Sequence, residues 1–174
     1  MDDILGAAAV IVFAIGIMMV LAVLFRPKPR VQVAPAPDKP PENAILVDGS
    51  NVMHWGGDPS QMVLTRVVHD LRERGFTPIV VFDASVGYRL SDRYIHGPQM
   101  AQLIGLPLKH VHVVQKGVIA DEVLLELARI HGLRVVSQDR FRDWRGQFPA
   151  IAKKGAIVRG VWKEGSVVWS GKGL

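Results

Sequence analysis

Four short apolar runs separated by helical patterns constrain this chain most. Residues 44–47, 77–82, 110–114 and 134–136 read as buried strands, and residues 60–74, 91–104 and 120–131 as the helices between them. A strand that returns through a helix runs parallel to its predecessor. The expected fold is therefore α/β, with a central, mainly parallel sheet covered by helices on both faces. Ligands of such sheets bind beyond the carboxyl ends of the strands, where the strand order reverses.

Local signals set the element ends. Ser60 follows Pro59 and can cap the helix over 60–74, in which Met62, Val63, Val67 and Leu71 are spaced for one apolar face and Gly75 is the stop. Gly97 and Pro98 interrupt the helix over 91–104, and Gly132 closes the one over 120–131. Residues 157–162 and 166–169 read as a terminal pair of strands turned by Lys163, Glu164 and Gly165.

Acidic residues collect at the strand ends. Asp48 follows the first strand, Asp83 the second and Asp139 the fourth, while Asp121 opens the helix over 120–131. Asp143 lies four residues beyond Asp139, on the same face if residues 140–144 wind helically. Carboxylates gathered at one point repel unless a divalent cation lies between them. The set Asp48, Asp121, Asp139 and Asp143 thus reads as a magnesium or manganese site, and such sites act on phosphates. Asn51, in the tight turn Asp48-Gly49-Ser50-Asn51, offers an amide to orient a phosphate or a water on the metal. The turn taken alone reads equally well as an Asx-type cap.

Around this candidate catalytic set, Glu122 and Asp83 are outer members. The competing roles are the helix dipole for Glu122 and a simple turn for Asp83. Lys116, Arg140, Arg142 and Arg145 can grip flanking phosphates. Trp55, Tyr88 and Trp144 can stack on unpaired bases, with core packing the plainer reading of each. Ser50 and Ser137 adjoin acids but have no histidine partner, so they read as turn hydroxyls. His110 and His112 alternate on the third strand with no third ligand and read as structural. No Walker-type loop supports ATP binding.

Residues 4–25 form an uncharged run of 22 residues, enough to cross a bilayer. Asp2 and Asp3 precede it, and Arg26, Lys28 and Arg30 follow, which places the carboxyl-terminal side in the cytoplasm. A cleaved signal peptide would need a basic start and a shorter core. Residues 26–42 are proline-rich and read as a stiff linker of some tens of ångströms, at about 3.1 Å per residue. Beyond the anchor, 21 bases face 14 acids, a charge of +7. That balance suits a nucleic acid or an anionic membrane surface. The chain has no cysteine, which excludes disulfides and cysteine-ligated zinc.

At the motif residues the chain resembles the NYN ribonucleases of the PIN-like superfamily, in the pattern of the MCPIP/Regnase type. That pattern is a strand ending in D-G-x-N-V, a paired acid opening a helix, and S-N-D-x-[FY]-R-D. Here it reads Asp48-Gly49-Ser50-Asn51-Val52, Asp121-Glu122 and Ser137-Gln138-Asp139-Arg140-Phe141-Arg142-Asp143. The resemblance spans residues 43–144. It implies a PIN-like three-layer fold, magnesium-dependent endonucleolytic cleavage of single-stranded RNA, Asp48, Asn51, Asp121, Asp139 and Asp143 as the acidic site, and a homodimer of the kind PIN-like domains often form. Glu122 stands where the family often has Asp, and Gln138 where it has Asn; the longer acid bears on metal number and position. The CCCH zinc finger of the animal proteins is excluded by the lack of cysteine.

The expectation is a transmembrane anchor at 1–25, the linker at 26–42 and a ribonuclease domain at 43–174, in a single-pass protein of a bacterial inner membrane with its domain cytoplasmic. The rivals are a non-catalytic RNA-binding module on the same fold, a metal phosphohydrolase or DNA nuclease, and an adaptor for which the acids are irrelevant.

Overall fold

Strand β1, Ala44–Asp48, is buried at every position, as a strand covered on both faces must be. It pairs in parallel with β2, Thr77–Phe82, on one side and with β4, Val135–Val136, on the other. β3, Val111–Val113, continues the parallel sheet beyond β2, and β5, Ile157–Lys163, continues it beyond β4. β6, Ser166–Ser170, closes the far edge antiparallel to β5. The order is β3-β2-β1-β4-β5-β6. The chain builds outward from β1 to β3, then crosses back to the other side of β1, so the strand order reverses between β1 and β4. The computed structural model describes residues 39–170; the expected membrane segment, the linker as far as residue 38, and residues 171–174 lie outside the described part. Among the described residues no helix is long and apolar enough to cross a membrane.

Two apolar layers follow from the two-residue period of the strands. Ile45, Val47, Val80, Phe82, Val136 and Val158 join one cluster with helix α2, Gln61–Glu73, and helix α4, Gly97–Ile104. Leu46, Ile79, Val81 and Val135 are buried outside that cluster. They belong to the opposite face, where helix α5, Ala120–His131, contacts β1, β2 and β4. Asp48 has the parity of Leu46 and therefore lies on the α5 side. Pro78 sits inside β2 without breaking the sheet. The Thr77 N–H points toward β1, to Asn43 O at 3.0 Å, so position 78 faces the β3 side, and β3 pairs only from Val80 onward. No ladder bond is lost there.

Ser60 caps α2, its hydroxyl accepting from the Val63 N–H at 3.4 Å, and Gly75 beyond the helix adopts φ 83°. The buried stripe is Val63, Leu64, Val67, Val68 and Leu71, whereas Met62 is 61% exposed. Met62 shares its face with exposed Arg66, His69 and Glu73, which corrects its expected place in the apolar face. Of the helix expected over 91–104 only Gly97–Ile104 forms, as α4, and Gly97 and Pro98 begin it instead of interrupting it; a separate helix, α3, Val86–Ser91, precedes it. Asp92 at φ 53° ends α3, and His96 caps α4, with Pro98 in its first turn where a missing N–H is harmless. The third strand is shorter than expected, because residues 108–110 form a 3-10 turn; His110 is in that turn and not on the strand. Glu164 and Gly165, both with positive φ, make the two-residue turn between β5 and β6.

Candidate functional site

Asp48 ends β1 with only 8% of its surface exposed. One carboxylate oxygen accepts the Asn51 N–H at 3.0 Å and the other accepts the Ser137 hydroxyl at 2.9 Å. The first contact caps helix α1, Gly49–Val52, which starts at once on the end of the strand. That start requires glycine, since a Cβ at Gly49 would overlap the Phe82 ring and stand 2.7 Å from Val80 Cγ1. Burial pushes the Asp48 carboxyl up to about 6 against the two hydrogen bonds, and the negative charges of Asp121 and Asp139 push the same way.

Asp121 enters from the first turn of α5, half-buried. Its carboxyl is raised by burial and by the charge of Asp139, with Asp83 adding to both; the Trp144 indole donates a hydrogen bond that works against this. Asp139 is exposed and its position is set by a local turn. Its N–H donates to Ser137 Oγ at 3.1 Å, and its Oδ1 accepts the Phe141 N–H at 2.8 Å. Phe141 is buried in a left-handed conformation, φ 46°. Ser137 therefore joins two acids: it donates to Asp48 and accepts from Asp139. It is the turn hydroxyl that was expected, and it also positions both carboxylates.

Asn51 has its amide oxygen fully used. Oδ1 accepts the Trp55 indole N–H at 2.9 Å and the Gln138 backbone N–H at 2.9 Å. The side chain is thereby fixed with its NH2 group free, a donor suited to a phosphate oxygen and not to a cation. Two supports were not legible in the sequence. Trp55 is buried, packed edge-on against Trp169 at 5.9 Å, so it braces Asn51 and does not offer a face to a base. Gln138 reaches back to the Gly160 carbonyl at 2.9 Å, and a Cβ at Gly160 would stand 2.7 Å from the Trp55 ring. Gly160 on β5 thus anchors both groups that hold Asn51.

The other expected residues fall into place differently. Asp143 is exposed in a 3-10 turn, Arg142–Trp144, which begins after the Asp139 turn. The two acids therefore do not share a helical face as expected, because the left-handed Phe141 separates them. The acids that act on Asp48 are Asp121 and Asp139, and those that act on Asp121 are Asp139 and Asp83. Glu122 accepts from Gln147 Nε2 at 3.3 Å. Asp83 is tied to its own strand end, with its N–H on Ser50 Oγ at 3.0 Å and its carboxylate accepting from Ser85 N–H at 2.7 Å. Lys116, Arg140, Arg142 and Arg145 are exposed in the loops beyond the sheet. Trp144 is half-buried, held by Asp121 and tilted on Phe148 at 6.0 Å. Tyr88 is 57% exposed. Burial lowers the His112 imidazole, whose Nε2 has no partner.

Among the described residues, no group of three acids or imidazoles is already placed as a cation cage. The donor set nevertheless fits a hard divalent cation: Asp48 and Asp121 are held above their usual range by burial and by Asp139, a repulsion that a cation would relieve. A cavity lined by Leu125, Leu133, Phe148, Ile151 and Lys154, at the other end of α5, contains none of these acids.

Residues 41–159 match the sequence profile of the family described as the Zc3h12a-like Ribonuclease NYN domain. No curated protein matches the chain. Among solved structures, the crystal structure of nuclear proteinaceous RNase P 2 (PRORP2) from A. thaliana is similar, with TM-score 0.57 and 21% identity over 73% of this chain and 29% of that one. A second structure, Arabidopsis thaliana nuclear protein-only RNase P 2, gives TM-score 0.56 and 21% identity over 74% of this chain and again 29% of the other. The chain thus spans less than a third of those proteins, and the likeness is one of fold.

Proposed function

Because the chain belongs to the Zc3h12a-like ribonuclease NYN domain family, we propose that it is a divalent-metal-dependent endoribonuclease that cuts single-stranded RNA while tethered to a membrane. What supports this reading is that the Asp48 carboxyl, at the strand end where the order reverses, is raised first by burial and then by the charges of Asp121 and Asp139, and that Asp121 is raised by burial and by Asp139. Binding an anionic chain needs no such acids, which repel it. Phosphodiester hydrolysis through a cation does need them.

Magnesium or manganese held by Asp48, Asp121 and Asp139, with Asp143 from the adjoining turn, would supply charge neutralisation and Lewis acidity at the scissile phosphate. The chain's own residues do the positioning. Asn51, locked through its oxygen, points its NH2 group at a non-bridging phosphate oxygen. Ser137 sets the separation of Asp48 from Asp139. Lys116, Arg140, Arg142 and Arg145 bind phosphates on either side of the cut without reading sequence. The tether rests on the uncharged run at residues 4–25 and the basic residues after it.

The test uses the full chain, purified in mild detergent, with a labelled unpaired RNA. Cleavage that requires magnesium or manganese, stops with EDTA and is lost in Asp139→Asn is the expected result. RNA binding without cleavage in any metal would support the binding-module rival, and faster hydrolysis of DNA than of RNA would support the phosphohydrolase. Recovery of the chain in the soluble fraction of cells would remove the tether.

A further inference from the structure

The acids have an exposed neighbour that the reading above does not use. Helix α3 leaves β2 just past Asp83, and the chain then doubles back at Asp92. Gly87 makes that return possible, since a Cβ there would overlap the Arg93 carbonyl and the Ile95 nitrogen. The backbone of residues 93–95 therefore lies directly on α3. Ile95 turns inward at 2% exposure, while Tyr94 and Tyr88 remain 52% and 57% exposed. Arg89 and Arg93 lie beside them, also exposed. Two aromatic rings and two guanidinium groups, all exposed, are thus carried by two backbone segments in contact.

These segments adjoin the acidic site. Arg89 Nε donates to Ser85 Oγ at 3.2 Å, and Ser85 donates to Asp83. Arg89 Nη1 lies 3.4 Å from His54 Nε2, and His54 follows α1, the helix that carries Asn51. The strand order puts these segments on the β2 side of Asp48, with Arg140, Arg142 and Arg145 on the β4 side. Rings this large gain nothing from facing water, and no acid besides Asp92 lies on the strip.

We propose that Tyr88, Arg89, Arg93 and Tyr94 form a subsite that holds unpaired nucleotides of the substrate beyond the scissile phosphate, the rings stacking on bases and the guanidinium groups pairing with phosphates. RNA then crosses the carboxyl edge of the sheet from the β4 loops, over Asp48, to α3. The proposal rests on the ribonuclease reading for its substrate class. Stacking on aromatic rings is tolerant of sequence, so the subsite measures single-strandedness and length and does not read a base pattern. A dinucleotide at the acids would not reach it.

Binding is measured by fluorescence anisotropy on the full chain in detergent, in EDTA so that no cleavage intervenes. The probes are a labelled unstructured RNA of about 12 nucleotides and a labelled dinucleotide. Tyr94→Ala should weaken the longer RNA by about 5- to 100-fold and the dinucleotide far less, and Tyr94→Phe should restore the affinity. Arg93→Ala should flatten the salt dependence, by about 0.7 in the slope of log affinity against log salt. Lys154→Ala, a basic change at the far end of α5, should leave binding as it is. Wild-type affinity in Tyr94→Ala and Arg93→Ala, an equal loss on both RNAs, or an equal loss from Lys154→Ala would each overturn the subsite. Strip-dependent binding in a protein that cleaves under no metal would sink the nuclease reading and leave the subsite standing. Cleavage with strip-independent binding would do the reverse.

Discussion

Two strand ends of the same sheet carry an aspartate, and they differ in how far that aspartate is satisfied. Asp48 and Asp83 follow neighbouring parallel strands and are both followed by a short helix. Burial works to raise the Asp83 carboxyl too, but hydrogen bonds from Ser85 and Ser50 and the charge of Arg89 hold it below its usual range. Asp48 has one hydroxyl and one N–H, no cation, and two other acids facing it, and it stays raised at about 6. A carboxylate supplied by its own turn is a structural cap. One left short of donors among other acids has an unmet demand for positive charge. The position of an acid at a strand end is thus weaker evidence for function than the account of what neutralises it.

The largest expected effect breaks the pair apart by activity. Asp48→Asn or Asp139→Asn should lower metal-dependent cleavage by at least about 100-fold, whereas Asp83→Asn should leave cleavage within a few-fold, since it keeps the acceptor for Ser85. Rates on a single labelled RNA decide it, and equal losses at both strand ends would erase the distinction.

Next comes the pH dependence of stability in the metal-free protein. The Asp48 carboxyl titrates near 6 in the fold and near 4 in the unfolded chain. Below about 4 both forms are protonated and the group has no effect. Between these values the unfolded chain has released its proton while the fold retains it, so stability falls as pH rises and levels off above about 6. The full difference is of order 3 kcal/mol. Asp48→Asn should abolish that slope and so be more stable than the parent at neutral pH, by denaturant unfolding in EDTA. Asp83, with its lowered carboxyl, works in the opposite direction: its contribution is present above its unfolded value and is lost as acid protonates it. A parent and an Asp48→Asn variant with parallel pH profiles would show that the acid is not under strain.

Gly49→Ala should cost about 1–3 kcal/mol, because the added methyl has no room against Phe82 and Val80 and the helix must lift off the strand. Thermal unfolding measures it, and an unchanged midpoint would mean that α1 can move freely.

The alternation of strands and helices and the acids at the strand ends could be read from the sequence, because each depends on local period or on a single turn; the short helix Val86–Ser91 could not. Long-range contacts could not. Core packing is the plainer reading of Trp55 in the sequence and holds in the structure, but the bond from its indole N–H to Asn51 is seen only in the fold. Asp139 and Asp143, four apart, suggest one helical face, but Phe141 prefers burial in a left-handed turn to a place in that helix. Met62 fits an apolar stripe by spacing but falls on the exposed face with Arg66, His69 and Glu73. For Trp55 the deciding contact comes from strands distant in the chain, and for the two acids from a left-handed turn at Phe141; periodicity contains neither.

Gln138 gives the smallest expected effect and the sharpest test of how the site is held. In the family pattern this position is Asn, and one methylene fewer would leave the side chain short of the Gly160 carbonyl that Gln138 reaches at 2.9 Å. Its backbone N–H, however, holds Asn51 whatever the side chain is. Gln138→Asn should therefore lose about 1 kcal/mol of stability, the worth of one hydrogen bond, while Asn51 keeps both of its donors. Cleavage should fall only a few-fold, with the loss in kcat if, as proposed, Asn51 acts at the scissile phosphate. Gly160→Ala displaces Trp55 and removes the second support of Asn51, so its effect on cleavage should exceed that of Gln138→Asn. If the order is reversed, the Gln138 side chain touches the substrate itself, and the departure from the family pattern is a change of specificity and not of scaffolding.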